Sequence, residues 1–532
     1  MKKTLALVLT LCMLLSLPVF TAAAEENALA PATFSCYIEL PTNCAIEGNE
    51  CLAWYQERSN TTFDFVESTG DEMLPMLLNT GDYPEIIVKN ALSNDDIVNY
   101  GVNNQIFVPI DEYIDEYMPN VKAYMADHPV YAKNIVAPDG HIYGLPGFPA
   151  SFSHSSIGRK IWINKAWLDK LGLAMPQTTD ELYDVLVAFR DQDPNGNGKK
   201  DEIPFTGCLN TWWGEAQYAM MQSFVYTETG TWMTVEDGQA KFVANTDEFR
   251  EGLKYMNKLV AEGLMDPAAF TQDVDQLSVL CQNEECIVGA YACGHLTIPL
   301  NFEDIDRVNM YEPLVTPASP SGRRVALFYD PQNVSGANFV ITDACKDVPR
   351  ALQAIDILFT EEASLIMNNG LEGDNWMYAE EGMIDFDGNP AKYMNPPVES
   401  EKHKADVRID YFDPFRYMSD TARTKYWVGS DDIYKNDSAS YERRLYEASK
   451  AYEPYFPKET MPVIWADQAV AEEHAQLMVM IRDYVNQAMT RFITGDMDLD
   501  TEWDSYVKAL DDMNLAKYVQ YYQDGIDAAK NR

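Results

Sequence analysis

Strand and helix patterns alternate from the start of the chain, and this alternation restricts the fold more than any other feature. The stretches "TFSCYIEL" and "TTFDFVES" are rich in aromatic and β-branched residues at strand periodicity, and Glu50 to Arg58 between them is helical. Met73 to Leu78 continues as a helix ending near Gly81, and Pro84 to Val88 ("PEIIV") is a short buried strand. A β-α-β start predicts a mostly parallel sheet covered on both faces, because each parallel crossover lays a helix over the sheet. Ligands of such sheets bind beyond the carboxyl ends of the strands. The loop Lys89 to Ser93, with Asn90, is therefore a candidate ligand loop.

Further along, Asp139-Gly140 reads as a hairpin turn. "TTDELYDVLVAFRDQ" opens on a capping box, Thr178 and Glu181, and places Leu182, Val185, Leu186 and Phe189 on one helical face. A second strand-rich passage, "ECIVGAYACG" and then "SGANFVITDA", precedes a helix from Pro349 to Phe359. The C-terminal region is helical, with one long helix over Ala469 to Ile493 stopped at Gly495 and another over Leu499 to Leu510. The 532 residues are enough for roughly two to four domains.

The first residues, "MKKTLALVLTLCMLLSLPVFTAAAEE", combine a basic start, an apolar run and a small-residue cleavage site at Ala22 to Ala24. Residues 1–24 are expected to be a secretory signal peptide rather than a membrane anchor, the apolar run being short for a span. The balance is strongly acidic, with 40 basic and 83 acidic residues and a formal charge of −43. A field of that sign repels phosphate backbones and excludes nucleic acid as a partner. Outside the signal lie eight cysteines, and Cys36, Cys44 and Cys51, or Cys281, Cys286 and Cys293, are close enough to pair locally. Buried free thiols are the equal alternative.

The stretch "DPNGNGKKDEIP" follows the capped helix. Calcium takes six to eight hard oxygens, and an EF-type loop offers them at positions 1, 3, 5, 7, 9 and 12, with glycine at 6. Here those positions hold Asp193, Asn195, Asn197, Lys199 (through its carbonyl), Asp201 and Pro204, with Gly198 at the turn. Position 12 fails, but Glu202 at position 10 supplies another carboxylate. A metal-free turn needs no such run of oxygen donors, so the stretch is expected to hold a structural calcium ion.

No nucleophile elbow, zinc-protease helix motif or phosphate-binding P-loop is present, and the six histidines lack ligand spacing. No catalytic residue is nominated. Ten Trp and 31 Tyr are a heavy aromatic load, and several fall in loops. Trp212 and Trp213 follow the calcium-like stretch, Tyr329 and Asp330 sit in "ALFYDPQN", Trp376 in "GLEGDNWMYAEEG" and Trp427 in "TKYWVGSDD". Sugar rings stack their C–H faces on indoles while carboxylates and amides take the hydroxyls, so these residues are candidate ligand contacts, each with core packing as its alternative. Trp162 and Trp167 sit at regular periodicity and are expected in the core.

The segments "GDYPEIIV", "APDGHIYGLPG", "INKAWLDKLGLAMPQTTDELYDVLVAF", "DPNGNGKKDEIP" and "RFITGDMDLDTEWDSYVKALDDM" occur in an order and spacing that resemble one family over nearly the whole chain after the signal. That family is the extracellular solute-binding proteins of bacterial ABC importers, and the chain is most similar to its long lipoprotein-type members from Gram-positive bacteria. Alginate-oligosaccharide-binding members carry a similar calcium loop, and the resemblance places its ligands on Asp193, Asn195, Asn197, Lys199, Asp201 and Glu202. It implies an α/β fold of two discontinuous lobes with a helical C-terminal region, closing on a ligand by hinge motion. Residues 32–148 and 298–368 would form the first lobe, and 149–297 and 369–532 the second. Chain crossings are then expected near Pro146 to Ser151, His295 to Leu300 and Asn368 to Gly373. Asn90 would face the cleft from the first lobe, and Trp212, Trp213 and Trp376 from the second. The function implied is a monomeric, exported carrier that captures an oligosaccharide and delivers it to ABC permease subunits, without catalysis. A peptide or other polar solute, or a secreted glycan-active enzyme, are the alternatives. Many members carry a lipid-anchored cysteine at the cleavage site, and Ala24-Glu25 has none.

Overall fold

The structure is a computed structural model that describes residues 29–39, 45–70, 72–146, 156–330, 333–334, 336–396, 427–430, 432–465 and 470–531. The chain begins with β1 (Ala32–Ile38), α1 (Glu50–Ser59), β2 (Thr61–Glu67), α2 (Met73–Thr80) and β3 (Ile86–Leu92). Then come β4 (Gly144–Leu145), β5 (Ile161–Asn164), α3 (Lys165–Leu171), α4 (Thr179–Asp191) and α5 (Ala216–Met221). The hairpin β6 (Met233–Glu236) and β7 (Gln239–Phe242) leads to α6 (Asp247–Ala261), β8 (Ala290–Ala292) and β9 (Tyr311–Leu314). The last labelled elements are β10 (Ala337–Ile341), α7 (Val348–Asp356), α8 (Ser438–Lys450), α9 (Ala471–Thr494), α10 (Trp503–Asp512) and α11 (Leu515–Asn531).

The first lobe is built on a five-stranded sheet in the order β2-β1-β3-β10-β4. Strands β1, β2 and β3 are parallel, as their crossover helices require, while β10 runs antiparallel to both neighbours. Strand parity sets its two cores. Cys36, Ile38, Ile86, Val88, Phe339 and Ile341 point to one face, while Tyr37, Ile87 and Val340 point to the other. The central strands are buried on both faces, whereas the edge strand β2 alternates buried and exposed residues.

The second lobe centres on a three-stranded sheet, β8-β5-β9, and here both pairings are antiparallel. Ile161 and Ile163 face the larger core, and Trp162 faces the smaller one with Tyr291 and Tyr311. As expected, Trp162 and Trp167 are core residues, and Thr178 with Glu181 forms the capping box of α4. The C-terminal helices complete this core through Ile481, Val485, Phe492, Trp503 and Tyr518. Helix α9 stops at Gly495, whose φ of 85° is the left-handed cap that glycine adopts without steric cost.

The lobe boundaries differ from the expectation in two places. Strand β9 pairs with β5, and Leu296 and Leu300 pack with Trp162, so the chain does not cross at His295 to Leu300. It crosses later, between Leu314 of β9 and Ala337 of β10. Nor does it cross at Asn368 to Gly373, because Met367 and Trp376 on either side share the first-lobe core. Trp427 packs there too and Trp465 fills the opposite face, whereas Leu445 of α8 packs in the second lobe. The C-terminal third therefore passes between lobes instead of belonging to one. The expected crossing at Pro146 to Ser151 falls mostly outside the described residues, although β4 and β5 on its two sides lie in different sheets. Cys36, Cys51, Cys281, Cys286 and Cys293 are buried free thiols, so the local disulfides allowed by spacing are not formed among them. Cys44 and the signal segment lie outside the described residues, among which no helix is long and apolar enough to cross a membrane.

Candidate ligand-binding site

The second sheet sends several segments to one of its ends. Arg159 and Lys160 enter β5 there, and Cys293 to His295 leave β8 there because β8 is antiparallel to β5. Ile203 and Thr206 bridge in parallel to Val288 and Tyr291, so the following loop, 207–215, opens at the same end. β9 also finishes at this end, and from it the chain runs to β10. In the first sheet β10 begins beside the carboxyl end of β3, since Ala337 pairs with Leu92. The edge of one lobe that carries loop 207–215 is thus joined to the strand ends where the other lobe would bind a ligand.

Trp212 and Trp213 occupy this edge, half-buried and seated on glycines. A Cβ on Gly294 would lie 1.9 Å from the Trp212 ring, and one on Gly158 would lie 2.0 Å from Trp213 Nε1. No other residue lets the indoles lie so close to the backbone. Trp213 also has a φ of 60°, in the left-handed region that a bulky residue rarely visits and that costs on the order of 1–3 kcal/mol. The compensating contacts are visible. The Arg159 guanidinium lies 4.5 Å from the Trp213 ring and 4.8 Å from Tyr218, and Tyr329 stands 5.5 Å from Trp213. Behind Trp212 lie Lys160, 5.7 Å from the ring, and His295, edge-on at 4.7 Å. Gly294 N–H donates to the Trp212 carbonyl at 3.0 Å and closes the loop.

Charge on this wall is compensated. Arg159 is 2% exposed, one Nη donates to Thr229 Oγ1 at 2.7 Å, and the other lies 3.9 Å from the Glu215 carboxylate. Burial lowers the guanidinium's pKa and raises that of Glu215, each opposed by the other's charge. Lys160 is fully buried; its Nζ donates to the carbonyls of Ile157 and Gly294, and burial lowers its pKa to about 7. In the unfolded chain this lysine keeps its proton to far higher pH, so folding releases a proton above pH 7 and stability rises with pH in that range. The melting-temperature advantage of the native chain over Lys160→Met should therefore grow between pH 7 and about 8.5, because the buried thiols, which lower stability as their unfolded forms ionise near pH 8.5, act on both chains alike. A difference that stays constant with pH would remove Lys160 as its source.

The remaining expected contacts divide. Tyr329 is 40% exposed beside Trp213, its N–H bonded to the Ser156 carbonyl, and Asp330 accepts from Thr460 Oγ1 at 3.3 Å. Asn90 lies within β3, its side chain outside those described. Trp376 and Trp427 are corrected: they are 3% and 6% exposed and pack on Tyr393 in the first-lobe core, with Trp376 Nε1 bonded to the Gly370 carbonyl. Their loop-like neighbours reflect a small hairpin, Met377–Tyr378 against Tyr393–Met394, which covers that core. Arg159, Lys160, Gly158 and Gly294 were not singled out from the sequence. The signal was "GRKIWIN", two cations directly before a buried strand.

The calcium-like loop folds around its own oxygens. Asp193 accepts from the N–H groups of Gly196 and Gly198 at 2.9 and 3.1 Å, and Asp201 accepts from the amides of Asn195 and Asn197. Asn197 Oδ1 accepts from Lys199 N–H, while the Lys199 ammonium reaches Glu285. Glu202 Oε1 is buried without a partner, and burial raises the pKa of its carboxyl, with the charges of Asp201 and Asp193 adding to the effect. Among the described residues no three His, Cys, Asp or Glu side chains come together as a metal cluster. The donor set is still a fit for a hard cation: carboxylates and amide oxygens share one loop, and one buried carboxylate oxygen lacks a donor.

The sequence profile of the bacterial extracellular solute-binding proteins matches residues 52–364. The fructooligosaccharide ABC transporter substrate-binding protein FusA of Streptococcus pneumoniae serotype 4 is 28% identical over 473 residues, covering 85% of this chain and 82% of that protein. The polygalacturonan/rhamnogalacturonan-binding protein YtcQ of Bacillus subtilis is 23% identical over 487 residues, covering 89% and 87%. Structures of S. pneumoniae FusA superpose with TM-scores of 0.78 in complex with kestose and 0.76 as an EF-hand mutant with fructo-nystose. Their identities are 26% and 25%, and each covers 94% of this chain and 99% of the other. The two-lobe α/β architecture with a helical C-terminal region is common to these proteins and this chain.

Proposed function

The chain belongs to the bacterial extracellular solute-binding proteins, and from that premise we propose that it is the oligosaccharide-capturing component of an ABC importer. The observation that carries the sugar assignment is the pair Trp212 and Trp213, seated on glycines at the lobe edge with Tyr329 beside them. Flat apolar rings next to carboxylates such as Glu215 and Asp330 are the complement of a sugar, whose C–H faces stack and whose hydroxyls donate. FusA is named for fructooligosaccharides and YtcQ for polygalacturonan and rhamnogalacturonan, which supports a carbohydrate over a peptide. The chain would act as a monomer outside the cell, hand the sugar to permease subunits and leave its bonds intact. A binding oligosaccharide at 100 times its Kd should stabilise the fold by about 2.7 kcal/mol, which a thermal-shift screen detects. If no oligosaccharide shifts the melting temperature, the sugar reading fails; cleavage of a bound sugar would end the carrier reading.

The loop from Asp193 to Glu202 would hold calcium through Asp193, Asn195, Asn197, the Lys199 carbonyl, Asp201 and Glu202, supported by the EF-hand reported in a FusA structure. Calcium would bring the carboxylates together and pin the segment between α4 and the bridge at Ile203. Chelation should then lower the melting temperature, and saturating calcium at about 100 times its Kd should restore roughly 2.7 kcal/mol. Asp193→Ala should melt like the chelated protein with or without calcium, while indifference of the native chain to chelator would leave only a turn.

A further inference from the structure

The oligosaccharide reading, on which this inference rests, leaves the chemical class of the sugar open. We propose that the cleft selects neutral oligosaccharides and rejects uronate-bearing ones, because the described cations on its walls are either paired within the protein or enclosed by its side chains. Arg159 has both faces covered, by Trp213 and Tyr218, and its edges turn to Thr229 and Glu215. Its Nε and Nη1 have no acceptor in hydrogen-bond range, yet both are closed off from solvent. A ligand carboxylate would have to displace a ring to reach them. Lys160 is buried behind Trp212 with its ammonium on two backbone carbonyls. In the first lobe, Lys89 in the middle of β3, just past its pairing with the end of β1, lies 2.6 Å from Glu39, so that charge is paired as well. Arg324, on the segment that joins β9 to β10, stacks on Tyr455 at 4.0 Å.

Among the described residues, what remains to meet a ligand is aromatic surface and acceptor oxygens. A hydroxyl can donate to Glu215 or Asp330, and a ring face can stack on Trp213 or Tyr329. A uronate would bring a second carboxylate next to Glu215 and lose its hydration without gaining a cation. The overall charge of −43 works in the same direction over longer range.

Calorimetric titration of the chain without its signal segment separates the possibilities. The neutral probes are kestose, nystose, maltotriose and xylotriose, and the acidic probes are trigalacturonate and trimannuronate. The expected result is that one neutral probe binds at least roughly 100-fold more tightly than either uronate. Glu215→Gln, which removes the opposing carboxylate and leaves Arg159 less compensated, should narrow that gap by about tenfold. A uronate that binds within tenfold of the best neutral probe, or more tightly, overturns the inference while the carrier reading stands. Loss of such binding in Arg159→Gln would identify the guanidinium as the carboxylate ligand. A gap unchanged in Glu215→Gln would also overturn the argument, since the discrimination would not come from this charge balance. Absence of binding by both classes would overturn the oligosaccharide reading and the inference with it.

Discussion

Trp213→Ala is expected to weaken oligosaccharide binding by about 1–3 kcal/mol, roughly 5- to 150-fold in Kd, a scale set by analogy with base–aromatic stacking. The indole lies half-buried at the lobe edge, seated on Gly158 with Arg159 and Tyr329 beside it, and its solvent-accessible part is what a ligand would meet. Its left-handed backbone allows a sharper comparison. At a φ of 60° alanine keeps the backbone strain, whereas glycine relieves it. Trp213→Gly should therefore melt higher than Trp213→Ala, while both lose binding to the same extent. The strain would then be a device that presents the ring, held in place by contacts that only tryptophan makes. Equal affinity for native chain and alanine variant would return Trp213 to a packing role.

Trp376→Ala has the opposite expected signature: a loss of about 3–5 kcal/mol in stability with Kd unchanged where the variant is folded. The ring is buried in the first-lobe core, edge-on to Tyr393 at 5.7 Å, and its N–H bonds to the Gly370 carbonyl. Truncation leaves a cavity and an unpaired carbonyl together. Denaturant melts measure the first effect and titration the second. A variant that melts normally but loses the sugar would move Trp376 back to the cleft.

These two tryptophans also show where the sequence was legible. Both sit in polar, glycine-containing stretches, and composition alone does not separate a ring that roofs a core from one that faces a cleft. The difference is made by residues far away in sequence: Gly158 and Arg159 for Trp213, Tyr393 and Trp427 for Trp376. Local rules did better where local chemistry decides. The capping box of α4, the glycine stop of α9 and the parallel register of β1, β2 and β3 follow from adjacent residues and periodicity. Strand β9 is the instructive miss. Its four residues, Tyr311 to Leu314, include a proline and show no alternation long enough to read. That one strand decides to which lobe residues 298–314 belong, and with it the position of a crossing. The passage of the C-terminal third between lobes was equally hidden, because Trp465 and Leu445 look alike as apolar residues and differ only in which core receives them.

The edge bearing Trp212 and Trp213 is where an oligosaccharide would be captured. Titration of the native chain and of Trp213→Ala with neutral oligosaccharides, followed by tryptophan fluorescence and calorimetry, tests this capture most directly. The native chain should bind saturably, one to one, with a fluorescence change, and the variant should show a Kd raised about 5- to 150-fold. Saturable binding that the variant reproduces with undiminished affinity, or no binding of any oligosaccharide by the native chain, would contradict it.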